Sequence, residues 1–229
     1  MTKHVTTERE FIFRERQDGQ LEFIGDFNGL YGTHEDPWAQ SGNNLGWQQA
    51  YYDFSLGKII TAMNKITSKN NVLEIGCGIG FVVDFLAKNL PGSTINGMDI
   101  SSVAIARAHN KFPAYHFTIG DVGSKKLNVQ KKYNIIIFNQ LLWYILKDLK
   151  NEISNAHHLL TFGGSLLVSQ SFLRNKQRYG GDIVEGCNGF LNFMATHHSD
   201  IFSMENMQYD QSDIYHHHDG LLVYKKIDV

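Results

Sequence analysis

The chain has 229 residues, of which 42% are apolar and 19% charged, and its formal net charge is −2. This length suffices for one well-packed domain, and the near-zero charge gives no electrostatic reason to expect a nucleic acid or an anionic membrane as partner. Two cysteines, Cys77 and Cys187, exclude a disulfide scaffold, and the polar N-terminus predicts no secretory signal, so we expect a cytoplasmic protein without a membrane span.

Residues 1–46 are predicted to form a hairpin followed by an irregular segment. Two apolar and aromatic runs flank Asp18-Gly19, a dipeptide typical of a hairpin turn. The residues after the second run are rich in Gly, Asn and Asp, which predicts a loop. We expect this segment, together with residues 170–204, to act as a lid over the ligand site of the main domain, residues 47–229. The first predicted element of that domain is a helix over 47–67.

From residue 72 onward, short strands and helices alternate. Strands are predicted over 72–75, 94–98, 115–119, 134–138 and 165–169, with helices over 81–90, 101–111 and 147–160. This alternation is typical of a parallel sheet with helices on both faces. Residues 170–204 break the pattern and are predicted to be a helical insertion. Two further runs flank Asp219-Gly220, a second hairpin signal, so we expect the sheet to end with an antiparallel pair.

The segment VLEIGCGIG, residues 72–80, combines a strand, a glycine turn and the start of a helix. Gly76 allows a sharp turn, Gly78 removes a side chain where a ligand can approach, and Gly80 lets the helix and the strand pack closely. The helix N-terminus then offers free amides to an anionic group. The G-x-G-x-G spacing differs from the G-x-G-x-x-G of dinucleotide binders and is not a P-loop.

Polar residues follow the next three strands, namely Asp99, Asp121 and Asn139. A carboxylate at the first of these positions can accept hydrogen bonds from two ribose hydroxyls, and one at the second can accept from an exocyclic amine. Asn139 is either a ligand contact or a buried amide with its hydrogen bonds satisfied. The four strand ends meet at the crevice in which open α/β sheets bind ligands.

In this order and spacing, VLEIGCGIG, INGMDIS, FTIGDV and NIIIFNQLLWYI resemble the motifs of class I S-adenosylmethionine-dependent methyltransferases. The resemblance covers about residues 45–170. It implies an α/β, Rossmann-like seven-stranded sheet, mostly parallel with an antiparallel last strand and helices on both faces. It also implies S-adenosylmethionine as cofactor and S-adenosylhomocysteine as product. The cofactor-binding residues that it implies are Glu74, Gly76, Cys77, Gly78, Asp99, Ile100, Asp121, Val122 and Asn139.

The resemblance also implies which part of the cofactor each of these residues contacts. Glu74 and the glycine loop would surround the methionine part, with Asn139 near it. Asp99 would hold the ribose, with Ile100 against the adenine. The edge of the adenine would meet Asp121 and Val122.

A shorter resemblance lies outside the four motifs. DFNGLYGTHEDPW is similar to a segment of small-molecule methyltransferases, including those that act on sugars and glycan precursors, and residues 177–193 resemble their substrate-side insertion. The implied function is methyl transfer to an oxygen or nitrogen of a small polar acceptor, such as a sugar, a phospho-compound or a nucleotide-linked glycan precursor. An RNA methyltransferase, a non-catalytic cofactor-binding protein and a nicotinamide-dependent oxidoreductase are the alternatives. The oligomeric state stays open, with a homodimer as one option.

Candidates on the acceptor side are aromatic residues, which either line an acceptor pocket or belong to the core and the lid: Tyr31, Trp38, Trp143 and Tyr144. His34 is a candidate general base for an oxygen acceptor, although a solvated loop histidine fits the same pattern; His157 and His197 are further candidates. The histidine runs predict no metal site, because adjacent residues on a helix or strand point to different sides.

Overall fold

The computed structural model describes residues 8–42, 46–125, 127, 130–211 and 217–227. Its strands are β1 (Phe13–Glu15), β2 (Leu21–Phe23), β3 (Asn71–Ile75), β4 (Thr94–Asp99), β5 (His116–Ile119), β6 (Tyr133–Asn139), β7 (Leu160–Leu173), β8 (Phe202–Asp210) and β9 (His217–Lys226). Its helices are α1 (Glu8–Ile12), α2 (Phe27–Thr33), α3 (Trp47–Lys65), α4 (Phe81–Asn89), α5 (Ser102–Lys111), α6 (Leu142–Ile145), α7 (Leu149–Leu159) and α8 (Gly186–His197), and a 3₁₀ turn over Leu146–Asp148 joins α6 to α7.

Seven strands form one sheet in the order β5-β4-β3-β6-β7-β9-β8. The first five are mutually parallel, whereas β9 runs antiparallel to both β7 and β8. This confirms the expected Rossmann-like sheet with an antiparallel last strand. The chain order reverses between β3 and β6, which is the switch point where such sheets open a crevice at their carboxyl edge.

Two apolar clusters cover the two faces of the sheet, and β6 contributes to both. Ile135 and Ile137 face the cluster that includes α3, α4 and α5, whereas Ile136 and Phe138 face the one that includes α7 and α8. All four side chains are fully buried. Because successive residues of a strand point to opposite faces, a strand covered on both sides needs an uninterrupted apolar run.

The N-terminal segment forms the expected hairpin, and it also contains a helix where a loop was predicted. β1 and β2 pair around Asp18, whose carboxylate accepts from the amide of Gln20 at 3.0 Å. Helix α2 follows, and its N-cap Asp26 accepts from the amide of Gly29 at 2.8 Å. Tertiary packing overrides the low helix propensity of this glycine-containing segment, because α2 buries Leu30 and Tyr31.

Only part of the predicted insertion, 170–204, is helical. Its first residues extend β7, α8 occupies its middle, and β8 begins at Phe202. The stretch before α8 supports the hairpin, because the amide of Leu21 donates to the carbonyl of Arg178 at 2.9 Å and the Tyr179 ring lies 5.2 Å from that of Phe13. Among the described helices, none combines the length and the apolar composition that a bilayer crossing requires.

The predicted turn at Asp219-Gly220 is wrong, because both residues lie inside β9 and pair with β7 and β8. Asp219 is buried and forms an ion pair with Lys58 of α3. A Cβ atom on Gly220 would lie 2.7 Å from the ring of Phe172, which is fully buried. Gly220 therefore allows β9 to pack closely against the ring of Phe172, and Asp219 forms a buried ion pair with Lys58.

Gly220→Ala is expected to lower the free energy of unfolding by about 1–3 kcal/mol, because the new methyl group must displace a buried ring. Urea denaturation of the two proteins measures the difference. Gly57→Ala is the matched control: Gly57 lies in α3 with nothing near its Cβ position, so this change is expected to stabilise the protein by up to about 1 kcal/mol. An unchanged stability in Gly220→Ala would contradict the close packing against Phe172.

Candidate functional site

A cavity of about 260 Å³ lies at the carboxyl edge of the sheet, beneath the N-terminal segment. Its floor comes from the ends of β3, β4, β5 and β6, and its roof from residues 23–40. All the residues implied as cofactor-binding line it: Glu74, Gly76, Cys77, Gly78, Asp99, Ile100, Asp121, Val122 and Asn139. No residue of the predicted insertion is among its described lining, so the expected lid comes from the N-terminal segment.

The glycine loop takes a backbone path that most side chains would obstruct. Gly78 has a φ of 52°, and a Cβ atom there would lie 2.5 Å from the hydroxyl oxygen of Tyr31. Gly80 has a φ of 89°, and its Cβ position lies 2.6 Å from the ring of Phe117. Positive φ and close approach both favour glycine, as the motif predicts.

Asp99 ties the glycine loop to the end of β4. One carboxylate oxygen accepts from the amide of Gly78 and the other from the amide of Ser101, each at 2.8 Å. Burial raises the pKa of Asp99, and these two hydrogen bonds oppose the increase. Because each carboxylate oxygen has two lone pairs, Asp99 can still accept two hydrogen bonds from a ligand in the cavity.

Glu74 is a buried acid at the end of β3. Burial is the main cause that raises its pKa to about 8; the charge of Asp99 adds to the increase, and a hydrogen bond from Asn139 opposes it. Its Oε2 atom has no hydrogen-bond partner among the described residues. A buried carboxyl oxygen that lines a cavity without a partner fits a cationic or hydrogen-bond-donating ligand group.

A second pair of acids lies further along the cavity. Asp121 follows β5, and one of its oxygens accepts from the amide of Gly123 at 2.9 Å. Glu152 projects from α7, with 7% of its surface exposed. Sequence reasoning missed Glu152; the available signal was its place on the buried face of α7, three residues after Leu149 and four before Ala156.

Three of the four acceptor-side aromatics line the cavity. The hydroxyl of Tyr31 accepts from the indole nitrogen of Trp38 at 2.8 Å, and the Tyr144 ring lies 5.8 Å from that of Trp38. Tyr52 of α3, which sequence reasoning missed, donates to the carbonyl of Trp38 at 2.6 Å. Arg107 of α5 holds the roof by donating to the carbonyl of Tyr31 at 2.6 Å.

The structure places the remaining candidates elsewhere. Trp143 lies outside the described lining, where its indole donates to the carbonyl of Ser171 at 3.1 Å. His34 packs against Phe11 and faces a second, more open cavity. The other base candidates, His157 and His197, are also absent from the described lining. Among the described residues, no cluster of His, Cys, Asp and Glu could hold a metal ion.

Gln140, directly after Asn139, is a strained residue that sequence reasoning missed. Its φ is 55°, a left-handed conformation unusual for a residue with a side chain. Its side-chain amide donates to the hydroxyl of Tyr51 at 2.7 Å, and that hydroxyl donates to the carboxylate of Asp219 at 2.8 Å. A buried polar network therefore holds this end of the cavity, in keeping with the tendency of strain to collect at functional sites.

Part of the chain is similar in sequence to known proteins. Residues 73–166 match a family model described as "Methyltransferase domain". Over 116 residues, the chain is 30% identical to malonyl-(acyl-carrier protein) O-methyltransferase of Bacillus anthracis, covering 48% of this chain and 42% of that protein. Over 127 residues, it is 31% identical to tRNA1(Val) (adenine(37)-N6)-methyltransferase of Flavobacteriaceae bacterium (strain 3519-10), covering 54% of this chain and 55% of that protein. The chain thus spans less than half the length of the malonyl-(acyl-carrier protein) relative.

Solved structures extend the likeness to the whole fold. N-methyltransferase NodS from Bradyrhizobium japonicum WM9, in complex with S-adenosyl-L-homocysteine, superposes with a TM-score of 0.64 at 16% identity, covering 88% of this chain and 98% of that one. Magnesium protoporphyrin IX methyltransferase ChlM from Synechocystis PCC 6803, with bound S-adenosylmethionine, gives 0.63 at 17% identity, covering 88% and 93%. The sheet order and the superpositions confirm the expected fold, and residues 73–166, which carry the motifs at the carboxyl edge of the sheet, are similar to a methyltransferase domain.

Proposed function

We propose that the protein transfers the methyl group of S-adenosylmethionine to a small, uncharged or cationic acceptor held beneath the N-terminal segment. The observation that carries the proposal is the single cavity in which Glu74, Asp99, Asp121 and Asn139 meet at the carboxyl edge of the sheet. The family model matches residues 73–166 and the Bacillus anthracis relative matches 48% of the chain, so the acceptor is inferred from the residues of this cavity.

The lining supports a role for each cofactor-binding candidate. The unpartnered oxygen of Glu74 fits the ammonium group of the methionine part, and the glycine loop lets a ligand approach the backbone. The free lone pairs of Asp99 fit the ribose hydroxyls. Ile100 is 54% exposed, which offers an apolar surface to the adenine, whose amine would donate to Asp121.

The bound cofactor supplies a methyl group on a positively charged sulfur, already activated for displacement. The protein therefore has to align the acceptor and to exclude water. Trp38, Tyr31 and Tyr144 are positioned for this task, because the roof that they form is hydrogen-bonded to itself and anchored by Arg107.

The charge of the cavity favours some acceptors over others. Its lining carries four carboxyl groups, those of Glu74, Asp99, Asp121 and Glu152. An acceptor with a carboxylate or phosphate finds no Lys, Arg or His among the described lining residues to pair with, whereas a sugar hydroxyl or an amine can donate hydrogen bonds to these carboxyl groups. Burial raises the pKa of Tyr52 to about 12, so its phenol is a hydrogen-bond donor at neutral pH rather than a base. An amine that enters in its neutral form needs no base, so a nitrogen acceptor fits best.

Turnover with an acceptor panel tests this function. The protein is incubated with S-adenosylmethionine and small amines, sugars, nucleotide-linked sugars and dicarboxylic acids, and both S-adenosylhomocysteine and the methylated product are measured by mass spectrometry. We expect product with amines or sugars and least with dicarboxylic acids. The fold alone does not decide the reaction, because the (4+2)-cyclase SpnF shares it with a TM-score of 0.63. Binding of the cofactor without product from any class would instead favour a non-catalytic cofactor-binding protein.

Asp99→Ala is expected to weaken the binding of S-adenosylhomocysteine by about 10- to 100-fold, because it leaves ribose hydroxyls unpaired and releases the amide of Gly78. Calorimetric titration measures the effect. Asp53→Ala is the control, since Asp53 is an exposed aspartate of α3 that accepts from Gln49 outside the cavity, and its affinity should equal that of the unmodified protein. Equal affinities in both variants would remove Asp99 from the site.

A further inference from the structure

We propose that Glu152 reads the base of the cofactor, donating a hydrogen bond as a neutral carboxylic acid to a ring nitrogen of the aminopurine while Asp121 accepts from the amine. This inference rests on the proposed cofactor and adds a residue outside the four sequence motifs. It makes α7 part of the base-binding end of the cavity.

The position of Glu152 is fixed by its neighbours on α7. The side-chain amide of Asn151 donates to the carbonyl of Gly123 at 2.6 Å, and the side-chain amide of Asn155 donates to the carbonyl of Val122 at 2.6 Å. These two bonds hold the helix against the loop that carries Asp121. The loop residue beneath Glu152 is glycine, and a Cβ atom on Gly123 would lie 2.8 Å from its Oε1 atom.

One oxygen of the Glu152 carboxyl group lacks a hydrogen-bond partner among the described residues. The residue is 7% exposed, it lines the cavity, and its Oε2 atom is buried without a hydrogen-bond partner among the described residues. Burying such a group costs free energy unless a partner compensates for the lost water. Because the side chain of Glu152 lines the ligand cavity, a group of the ligand is assigned as the missing partner.

The surroundings keep this acid protonated at neutral pH. Burial raises the pKa of Glu152 to about 8, and the negative charges of Asp121 and Asp148 act in the same direction. The other side chains of α7 that face the same loop, those of Asn151 and Asn155, are uncharged. A neutral carboxylic acid offers one donor and one acceptor, whereas a carboxylate offers acceptors alone.

Such a pair of acids matches the edge of an aminopurine. That edge presents a donor, the exocyclic amine, next to an acceptor, a ring nitrogen. The Asp121 carboxylate can accept from the amine, and the hydroxyl of Glu152 can donate to the ring nitrogen. A 6-oxopurine presents an acceptor oxygen in place of the amine, which would leave Asp121 facing another acceptor.

The test compares the pH dependence of S-adenosylhomocysteine binding in the unmodified protein and in Glu152→Gln. Glutamine keeps a donor and an acceptor but does not ionise. Calorimetric titrations at about pH 6.5 and about pH 9.5 give, at each pH, the ratio of the affinity of the unmodified protein to that of Glu152→Gln. The titration of the ligand's own amine affects both proteins equally and cancels in this ratio. Because Glu152 ionises across this interval, the affinity of the unmodified protein for S-adenosylhomocysteine is expected to fall roughly 30-fold relative to that of Glu152→Gln.

Asp148→Asn is the matched control, because it also exchanges a carboxylate for an amide next to α7 but lies on the surface. In Asp148→Asn the affinity should still fall with rising pH, but at a lower pH than in the unmodified protein, because one of the charges that raise the pKa of Glu152 is removed. If Glu152 had only a structural role, the pH at which the affinity falls would not change in Asp148→Asn.

Parallel pH profiles in the unmodified protein and Glu152→Gln, with both binding the ligand, would overturn this assignment and leave the proposed function intact. Failure of the unmodified protein to bind at any pH would overturn the proposed function and the assignment with it. Should Glu152→Gln fail to fold, adenosine replaces it as probe of the unmodified protein, because adenosine has no group that ionises in this interval. A loss of adenosine affinity towards pH 9.5 that moves to lower pH in Asp148→Asn would support the assignment, because Asp148 raises the pKa of Glu152 and is not among the causes that raise the pKa of Glu74. A flat profile, or a loss that Asp148→Asn does not move, would overturn it.

Discussion

The hydrogen bond from the amide of Gly78 to the carboxylate of Asp99 is the contact on which the site depends. It joins the loop after β3 to the end of β4, and so sets the distance between two strand ends on one side of the switch point. The loop in turn leaves room for the hydroxyl of Tyr31, whose bond to Trp38 closes the roof. One buried carboxylate therefore organises both the floor of the cavity and the lid above it.

The cavity concentrates buried acidic groups at a cost to the stability of the fold. Glu74 and Glu152 both have a pKa of about 8, raised mainly by burial from the ordinary value of 4.5. The folded state therefore holds more protons than the unfolded chain between about pH 4.5 and about pH 8. The contribution of these groups to stability is present below that window and is lost as the pH rises through it. A ligand that brings a cation to Glu74 and a hydrogen-bond acceptor to Glu152 offsets this cost, so cofactor binding and stability are linked.

The parts of the fold that follow a repeating pattern could be predicted from the sequence. β6 had to be apolar throughout because both of its faces are covered, and the glycine spacing of residues 76–80 reflects positive φ values in a loop that crosses close to Tyr31 and Phe117. Polar residues stand at the ends of the strands, so the location of Asp99 and Asp121 at the cavity could be predicted from their position.

The parts that depend on tertiary context could not be predicted. A Gly-containing segment became α2 because Leu30 and Tyr31 found a surface to cover. Asp219-Gly220 has the composition of a turn, yet the aspartate pairs with Lys58, which is distant in sequence. Tyr144 lines the cavity and Trp143 does not, a difference that adjacent positions on a short helix cannot reveal without the orientation of that helix. From the sequence, Glu152 cannot be distinguished from other helical glutamates, because its contact with the loop after β5 depends on the tertiary structure.

The central claim is that the carboxyl edge of this sheet is built for S-adenosylmethionine. Calorimetric titration of the unmodified protein with S-adenosylmethionine, S-adenosylhomocysteine and NAD tests it most directly. The G-x-G-x-G spacing, together with Glu74 and Asp99 at the ends of β3 and β4 and Asp121 after β5, predicts micromolar binding of the first two ligands and none of NAD. Binding of NAD, or the absence of binding by both sulfur-containing ligands, would contradict it.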